Sequence, residues 1–204
     1  FPNVPIIAFG HSLGAIIALN YVFQYPKKIQ ALACWNKPES GLLARLSTLL
    51  LRTESLFKDP ALTSFFAWKL SYGAWNAKFK PNRTMADWIS QDEVEVDRYV
   101  ADPLCGFDVS ISLWLDVLEG AFNSSNYEKL KRIPKDVPLH LRCGADDPCT
   151  NFGRDHRNFE KKLKRLGLKN LNSATLANTR HESLNEWNKD ETINDFIGWL
   201  KTFF

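Results

Sequence analysis

The pentapeptide Gly10-His11-Ser12-Leu13-Gly14 lies between the apolar run Pro5-Ile6-Ile7-Ala8-Phe9 and a second apolar run from Ala15 to Phe23. This order reads as a strand that turns sharply into a helix, with a serine on the elbow. Such a turn crowds any Cβ two positions from the serine, so glycine is expected at both 10 and 14. It also exposes the Ser12 hydroxyl and starts a helix there. The unpaired N–H groups and positive dipole end of that helix face the place where an oxyanion would form, and the Leu13 N–H is the first candidate donor.

Strand and helix alternate only in parts of the chain. Pro26 ends the first helix, and Ile29 to Trp35 reads as a second strand, which completes a βαβ unit. From residue 36 to 127 the sequence changes character, to long helical segments rich in Trp and Phe, and reads as an inserted helical cap. Within it, Ser90-Gln91-Asp92-Glu93 looks like a capping box opening a helix that must stop before Asp102-Pro103. Phe65, Phe66, Trp68, Tyr72 and Trp75 read as packing core, with the lining of an acyl pocket as the alternative.

Strand grammar returns at Pro138 to Gly144. There Leu139, Leu141 and Cys143 alternate with His140 and Arg142, a pattern that suggests a strand near a sheet edge. After Ala145-Asp146-Asp147-Pro148 a helix is expected to about Leu166, stopped by Gly167, and then a weak strand near Leu171 to Leu176. The last helix opens at Asn188, with Glu191 three residues on, and its core stripe is expected at Ile193, Phe196, Ile197, Leu200 and Phe203. The domains expected are therefore an α/β core, 1–35 and 128–204, and the cap, 36–127.

Composition excludes several classes. With 204 residues, 45% hydrophobic and 24% charged, the chain fits one globular unit with an insertion. The net charge of +3 is small. The densest basic stretch, Lys161-Lys162-Leu163-Lys164-Arg165, backs an apolar side of Phe159, Leu163 and Leu166, so it reads as a solvated helix face and no nucleic-acid partner is expected. No apolar run is long enough for a transmembrane segment and no signal sequence opens the chain, which makes a cytoplasmic location the expectation. No strongly basic amphipathic helix argues for a lipid surface. The four cysteines lack paired spacing and read as buried free thiols, with no metal, cofactor or disulfide. A strand carrying such an elbow belongs at the centre of its sheet, yet only one neighbour follows in sequence. The N-terminal strands are therefore expected to be missing, and the chain to be the C-terminal part of a longer protein.

A serine hydroxyl is a poor nucleophile until a histidine takes its proton, and that histidine needs a carboxylate to hold its tautomer and support its charge. An acid just after one strand and a histidine after the next give the chain order Ser, Asp, His, with both groups at the carboxyl edge of the sheet where the elbow emerges. Asp147 and His181 fill those places. His11 flanks the serine, His140 lies within a strand and His156 on a helix, and none of these reads as the base.

Four stretches carry a family resemblance that covers nearly the whole chain. They are the elbow itself, Asp97-Arg98-Tyr99-Val100-Ala101-Asp102-Pro103-Leu104-Cys105-Gly106-Phe107, Gly144-Ala145-Asp146-Asp147-Pro148, and Arg180-His181-Glu182-Ser183-Leu184-Asn185-Glu186. The sequence resembles the α/β-hydrolases of the bacterial lysophospholipase and monoacylglycerol lipase group, classed with serine aminopeptidase S33-like enzymes. The resemblance implies a partial α/β-hydrolase fold and selects Asp147 over Asp146. It further implies a serine hydrolase cleaving carboxylic esters of acyl lipids, with a small-molecule acyl ester as substrate. Other ester, thioester or aminopeptidase-type hydrolysis on the same fold, and a catalytically incomplete interaction module, are the alternatives. The family's second oxyanion donor, in a His-Gly loop after an earlier strand, has no counterpart in this sequence. Cys34-Trp35-Asn36-Lys37-Pro38 replaces the small Ser-Gly type residues of relatives, which is expected to alter substrate access. Oligomeric state is left open.

Overall fold

The computed structural model describes residues 4–204. Its elements in order are β1 (Ile7–His11), α1 (Leu13–Gln24), β2 (Ala31–Trp35), α2 (Leu42–Glu54), α3 (Phe65–Trp68), α4 (Ala74–Asn76), α5 (Glu93–Ala101), α6 (Ile111–Ser125), α7 (Tyr127–Leu130), β3 (Leu139–Gly144), α8 (Arg154–Arg165), β4 (Leu171–Leu176) and α9 (Lys189–Leu200). The four strands form one parallel sheet in the order β1-β2-β3-β4. β1 and β2 each begin two residues later than their sequence patterns suggest. Among the described residues no helix is long and apolar enough to cross a membrane.

The sheet is covered on both faces, as parallel sheets require. On one face Leu32, Cys34, Leu139 and Leu141 pack with Ala15, Leu19, Val22 and Phe23 of α1 and with Phe159 and Leu163 of α8. On the other, Trp35 meets Phe9, His140 and Phe196 in edge and stacked contacts. The polypeptide between β2 and β3 is helical, and α6 packs against both α1 and α2. Its aromatics divide: Tyr72 and Trp75 pack around buried Trp88, whereas Phe65 and Phe66 are exposed.

Three local expectations fail, each because a tertiary partner decides. β3 does sit next to β4, the last strand in the order, but it is paired on both sides and all six of its residues are buried, so it lacks the solvated face that its alternation suggests. Its polar residues are inside with partners for the Arg142 guanidinium and for His140 Nδ1, while His140 Nε2 makes no hydrogen bond and lies 3.2 Å from Asp195 Oδ2. Arg142 donates through Nε and Nη2 to Asp195 Oδ2 at 2.8 and 2.6 Å, and through Nη2 to Asn172 Oδ1 at 2.7 Å. His140 accepts from Trp35 Nε1 at 3.0 Å, and burial, helped by the Arg142 charge, pushes its pKa down to about 4, so the ring is neutral. A buried polar group with partners costs little.

The second failure is part of the stripe of α9. Phe196 packs on Trp35 and His140 and Leu200 is half-buried, as the stripe expects, but Asp195 meets the Arg142 guanidinium, Thr192 and Trp199 are buried, and Ile193, Ile197 and Phe203 are exposed. The third is the capping box. The N-cap of α5 is Asp92, whose carboxylate accepts from Val94 N at 3.0 Å, and Ser90 Oγ instead donates to Asn185 O at 2.7 Å. The expected N-cap of α9, Asn188, likewise makes no side-chain cap; its amide reaches Thr179 Oγ1 at 3.2 Å. All four cysteines are free, with Cys34 and Cys143 buried and Cys105 and Cys149 half-buried.

Candidate active site

Ser12 joins β1 to α1 with φ 53° and ψ −116°, a left-handed backbone that a non-glycine residue rarely holds. The strain is held from both sides. The Ser12 N–H continues the sheet ladder to Trp35 O at 2.9 Å, and the Ser12 carbonyl accepts from Ala15 N at 3.0 Å as α1 begins. Gly10 makes the turn possible, since a Cβ there would stand 2.2 Å from Gly14 O. Gly14 is not required in the same way, because a Cβ at that position meets nothing within 4 Å among the described residues. Leu13 is the first residue of α1, so its N–H has no acceptor within the helix.

The loop after β3 places Asp147 and the loop after β4 places His181, both at the carboxyl edge beside the elbow. These loops are pressed together at Gly144, where a Cβ would meet Arg180 O and Thr179 O at 2.1 and 2.2 Å. The Ser12 hydroxyl lies 2.9 Å from His181 Nε2, and His181 Nδ1 lies 3.0 Å from Asp147 Oδ2. A carboxylate only accepts, so Nδ1 carries the ring proton and the Nε2 lone pair faces the serine. Asp147 and His181 are buried.

Electrostatics agree with that polarity. Burial favours the neutral form of His181, but the Asp147 carboxylate, its hydrogen bond and Glu182 outweigh it and hold the imidazole above its ordinary pKa. Burial also works against the Asp147 charge, yet His181, Asn36 and the Cys149 N–H hold the carboxyl below the usual range. His11 differs. Burial and the neighbouring His181 hold its pKa below the ordinary imidazole value despite Glu182, and because a carbonyl only accepts, His11 Nε2 donates to His181 O at 2.8 Å.

Sequence reasoning missed four residues here. Asn36, at the end of β2 with φ 47°, donates to Asp147 Oδ2 at 3.0 Å and accepts from Ser183 Oγ at 2.7 Å. The crowding at Cys34–Pro38 is thus turned inward onto the carboxylate, and buried Lys37 pairs with Glu39 at 2.8 Å. Trp88, from the helical segment, packs its ring 4.8 Å from that of His181. Glu186 accepts from Arg180 N, Gln91 N and Ser90 Oγ at 2.7, 2.9 and 3.1 Å, tying the histidine loop to residues 90–91. The available signal was position: Asn36 follows the strand next to the elbow, where side chains converge.

Two groups, His11 with His181 and Glu182, and Asp147 with Cys149 and His181, bring ligand-type atoms within 4.8 Å of one another. Both draw on His181, whose nitrogens already face Asp147 and Ser12, so this donor set fits proton transfer better than a metal. An open groove of about 740 Å³ between β4 and α9, lined by Asn172, Ser173, Asp195, Trp199 and Phe203, includes none of the three aligned residues.

Sheet, elbow and connecting helices define an α/β-hydrolase. The profile of the family described as serine aminopeptidase, S33, matches residues 1–188, and the chain belongs to that family. Solved structures agree on the fold. A thermostable carboxyl esterase from Bacillus coagulans matches with TM-score 0.88 and 21% identity over 98% of this chain and 66% of its own. The monoacylglycerol lipase of Paleococcus ferrophilus gives 0.69 and 22% over 96% and 68%, and a monoglyceride lipase of Saccharomyces cerevisiae gives 0.70 and 18% over 98% and 62%. The chain thus spans about two thirds of the length of these structures. A curated relative, the phenylalanine–tRNA ligase beta subunit of Mycoplasmopsis synoviae strain 53, is 30% identical over 102 residues, which is half of this chain and 12% of that protein. So small a share of that protein carries no functional argument.

Proposed function

We propose that this chain carries the catalytic relay of a serine hydrolase that cleaves carboxylic esters of acyl lipids, of monoacylglycerol or lysophospholipid type. The observation that carries the reading is the unbroken line from Ser12 Oγ through the His181 ring to Asp147 Oδ2, at 2.9 and 3.0 Å. In the reaction Ser12 Oγ bonds to the ester carbonyl carbon as its proton passes to His181 Nε2. The carbonyl oxygen becomes an oxyanion facing the Leu13 N–H, and Asp147 supports the imidazolium. Collapse breaks the bond to the alcohol, which leaves with the proton from His181. Water then attacks the acyl-serine by the same route, releasing the acid and restoring the hydroxyl. Residues 36–127 act as a cap, and Trp88 keeps water from one face of the His181 ring.

The lipid substrate rests on the esterase and lipase names of the structural relatives. The family description, serine aminopeptidase, supports amide hydrolysis by the same relay as a second reading. Turnover on a panel of monoacylglycerols, lysophospholipids, aryl esters and aminoacyl amides, with Ser12→Ala beside the parent, separates them. Turnover of acyl glycerols or lysophospholipids is expected, with loss of several powers of ten in the variant. Preference for aminoacyl amides would overturn the substrate class, and full activity of Ser12→Ala would overturn the relay.

A further inference from the structure

The histidine that flanks the nucleophile has a nitrogen the relay does not use. His11 donates from Nε2 to His181 O at 2.8 Å, so in the neutral ring its Nδ1 is a lone pair. That lone pair faces Glu182 Oε1 at 3.8 Å. The separation is too long for a hydrogen bond, and both atoms are acceptors. Among the described residues no lysine or arginine pairs with Glu182, whose other oxygen accepts from Asn185 Nδ2 at 3.4 Å.

The rings of His11 and His181 stand edge to face with centroids 4.9 Å apart. The Asp147 contact puts the His181 proton on Nδ1 and leaves Nε2 as a second lone pair. One ligand atom from each of His11, His181 and Glu182 lies within 4.8 Å of the others. Two imidazoles and a carboxylate are a donor set that zinc takes in open tetrahedral sites, where bonds of about 2.0–2.1 Å bring ligand atoms about 3.4 Å from one another. Glu182 has 28% of its side chain exposed, which gives an ion a way in and the carboxylate freedom to close the remaining distance. The other cluster, Asp147 with Cys149 and His181, offers less. Asp147 Oδ2 is taken by His181 and Asn36, and Oδ1 by the Cys149 N–H.

We propose that His11, Glu182 and His181 Nε2 form an inhibitory site that takes Zn²⁺ from solution. Proton transfer remains the use of His181, and the ion has no part in it. Bound zinc competes with the Ser12 hydroxyl for Nε2, and while it stays there that nitrogen has no lone pair to receive the serine proton. Binding needs no turnover, whereas inhibition rests on the hydrolase reading. Mg²⁺, which prefers oxygen ligands and keeps its waters, is not held.

The test is calorimetric titration of ZnCl₂ and of MgCl₂ into the chain in neutral buffer, with initial rates on a soluble ester beside it. The parent is compared with Ser12→Ala, His11→Gln, Glu182→Gln and Cys149→Ser. Expected is one Zn²⁺ bound per chain and no Mg²⁺, with inhibition at the concentrations that bind and reversal by a chelator. His11→Gln keeps a donor for His181 O and Glu182→Gln keeps the side chain's size, and each should weaken Zn²⁺ binding about tenfold or more. Inhibition is read against each variant's own metal-free rate, and metal-free thermal midpoints confirm the folds. Ser12→Ala, freed of the competing hydroxyl, should bind at least as tightly as the parent, and Cys149→Ser equally. A parent that takes no Zn²⁺ overturns the proposal, as does either glutamine variant that binds it like the parent. Loss of binding in Cys149→Ser would move the ion to the Asp147 cluster and also overturn it. Zinc binding that the glutamine variants lose, without ester turnover in the parent, would uphold the site and defeat the hydrolase reading; turnover unchanged at saturating Zn²⁺ would do the opposite.

Discussion

Asn36 carries more of the site than its place in the sequence suggests. Its amide restrains the Asp147 oxygen that orients His181, and its own carbonyl is fixed by Ser183. Replacement by glycine keeps a residue at ease with the left-handed backbone and removes only the side chain. A lost hydrogen bond to a buried charge is worth about 1–3 kcal/mol, so Asn36→Gly should lower kcat/KM about 10–100-fold, read from initial rates on a soluble ester.

The pH profile reports on the same relay. In the proposed relay the base works only when His181 is neutral, and Asp147 favours its protonated form. Activity should therefore climb as pH rises, with a midpoint above the roughly 6.5 of a free imidazole. Asp147→Asn removes the charge that raises it. That midpoint should move down while kcat falls by about four powers of ten. At this scale Ser12, Asp147 and His181 were legible because strand ends place them, whereas Asn36 and Trp88 carry no motif and matter only through what they touch.

At the scale of elements, the meeting of the β3 end with the histidine loop sets the geometry. A methyl group at Gly144 has no room against the Thr179 and Arg180 carbonyls, so Gly144→Ala must push the loop away. A displacement of about 1 Å costs roughly a hundredfold in rate, and that loss should fall on kcat rather than KM. Steady-state kinetics on a soluble ester check it. Strand order and helix positions followed from apolar runs and from breakers such as Pro26 and Gly167. The burial of β3 and the rotation of α9 did not, because the Arg142–Asp195 contact joins residues 53 apart and makes a polar face an interior one.

Over the whole molecule, Glu186 fastens the segment before α5 to the histidine loop, together with Arg180, which donates to Ser90 O at 3.0 Å and also to Asp87 O. Glu186→Ala strands the Gln91 and Arg180 amides and should lower stability by about 3 kcal/mol, seen as an earlier midpoint in urea. By itself the sequence determined a parallel α/β core, a helical segment between its strands, and a serine, an acid and a histidine at the strand ends, because apolar period and turn chemistry are local properties. Only the tertiary structure decided which polar residues go inside and what braces the carboxylate. Those depend on distant side chains meeting, and a partner's presence, rather than a residue's own polarity, sets the cost of burying it.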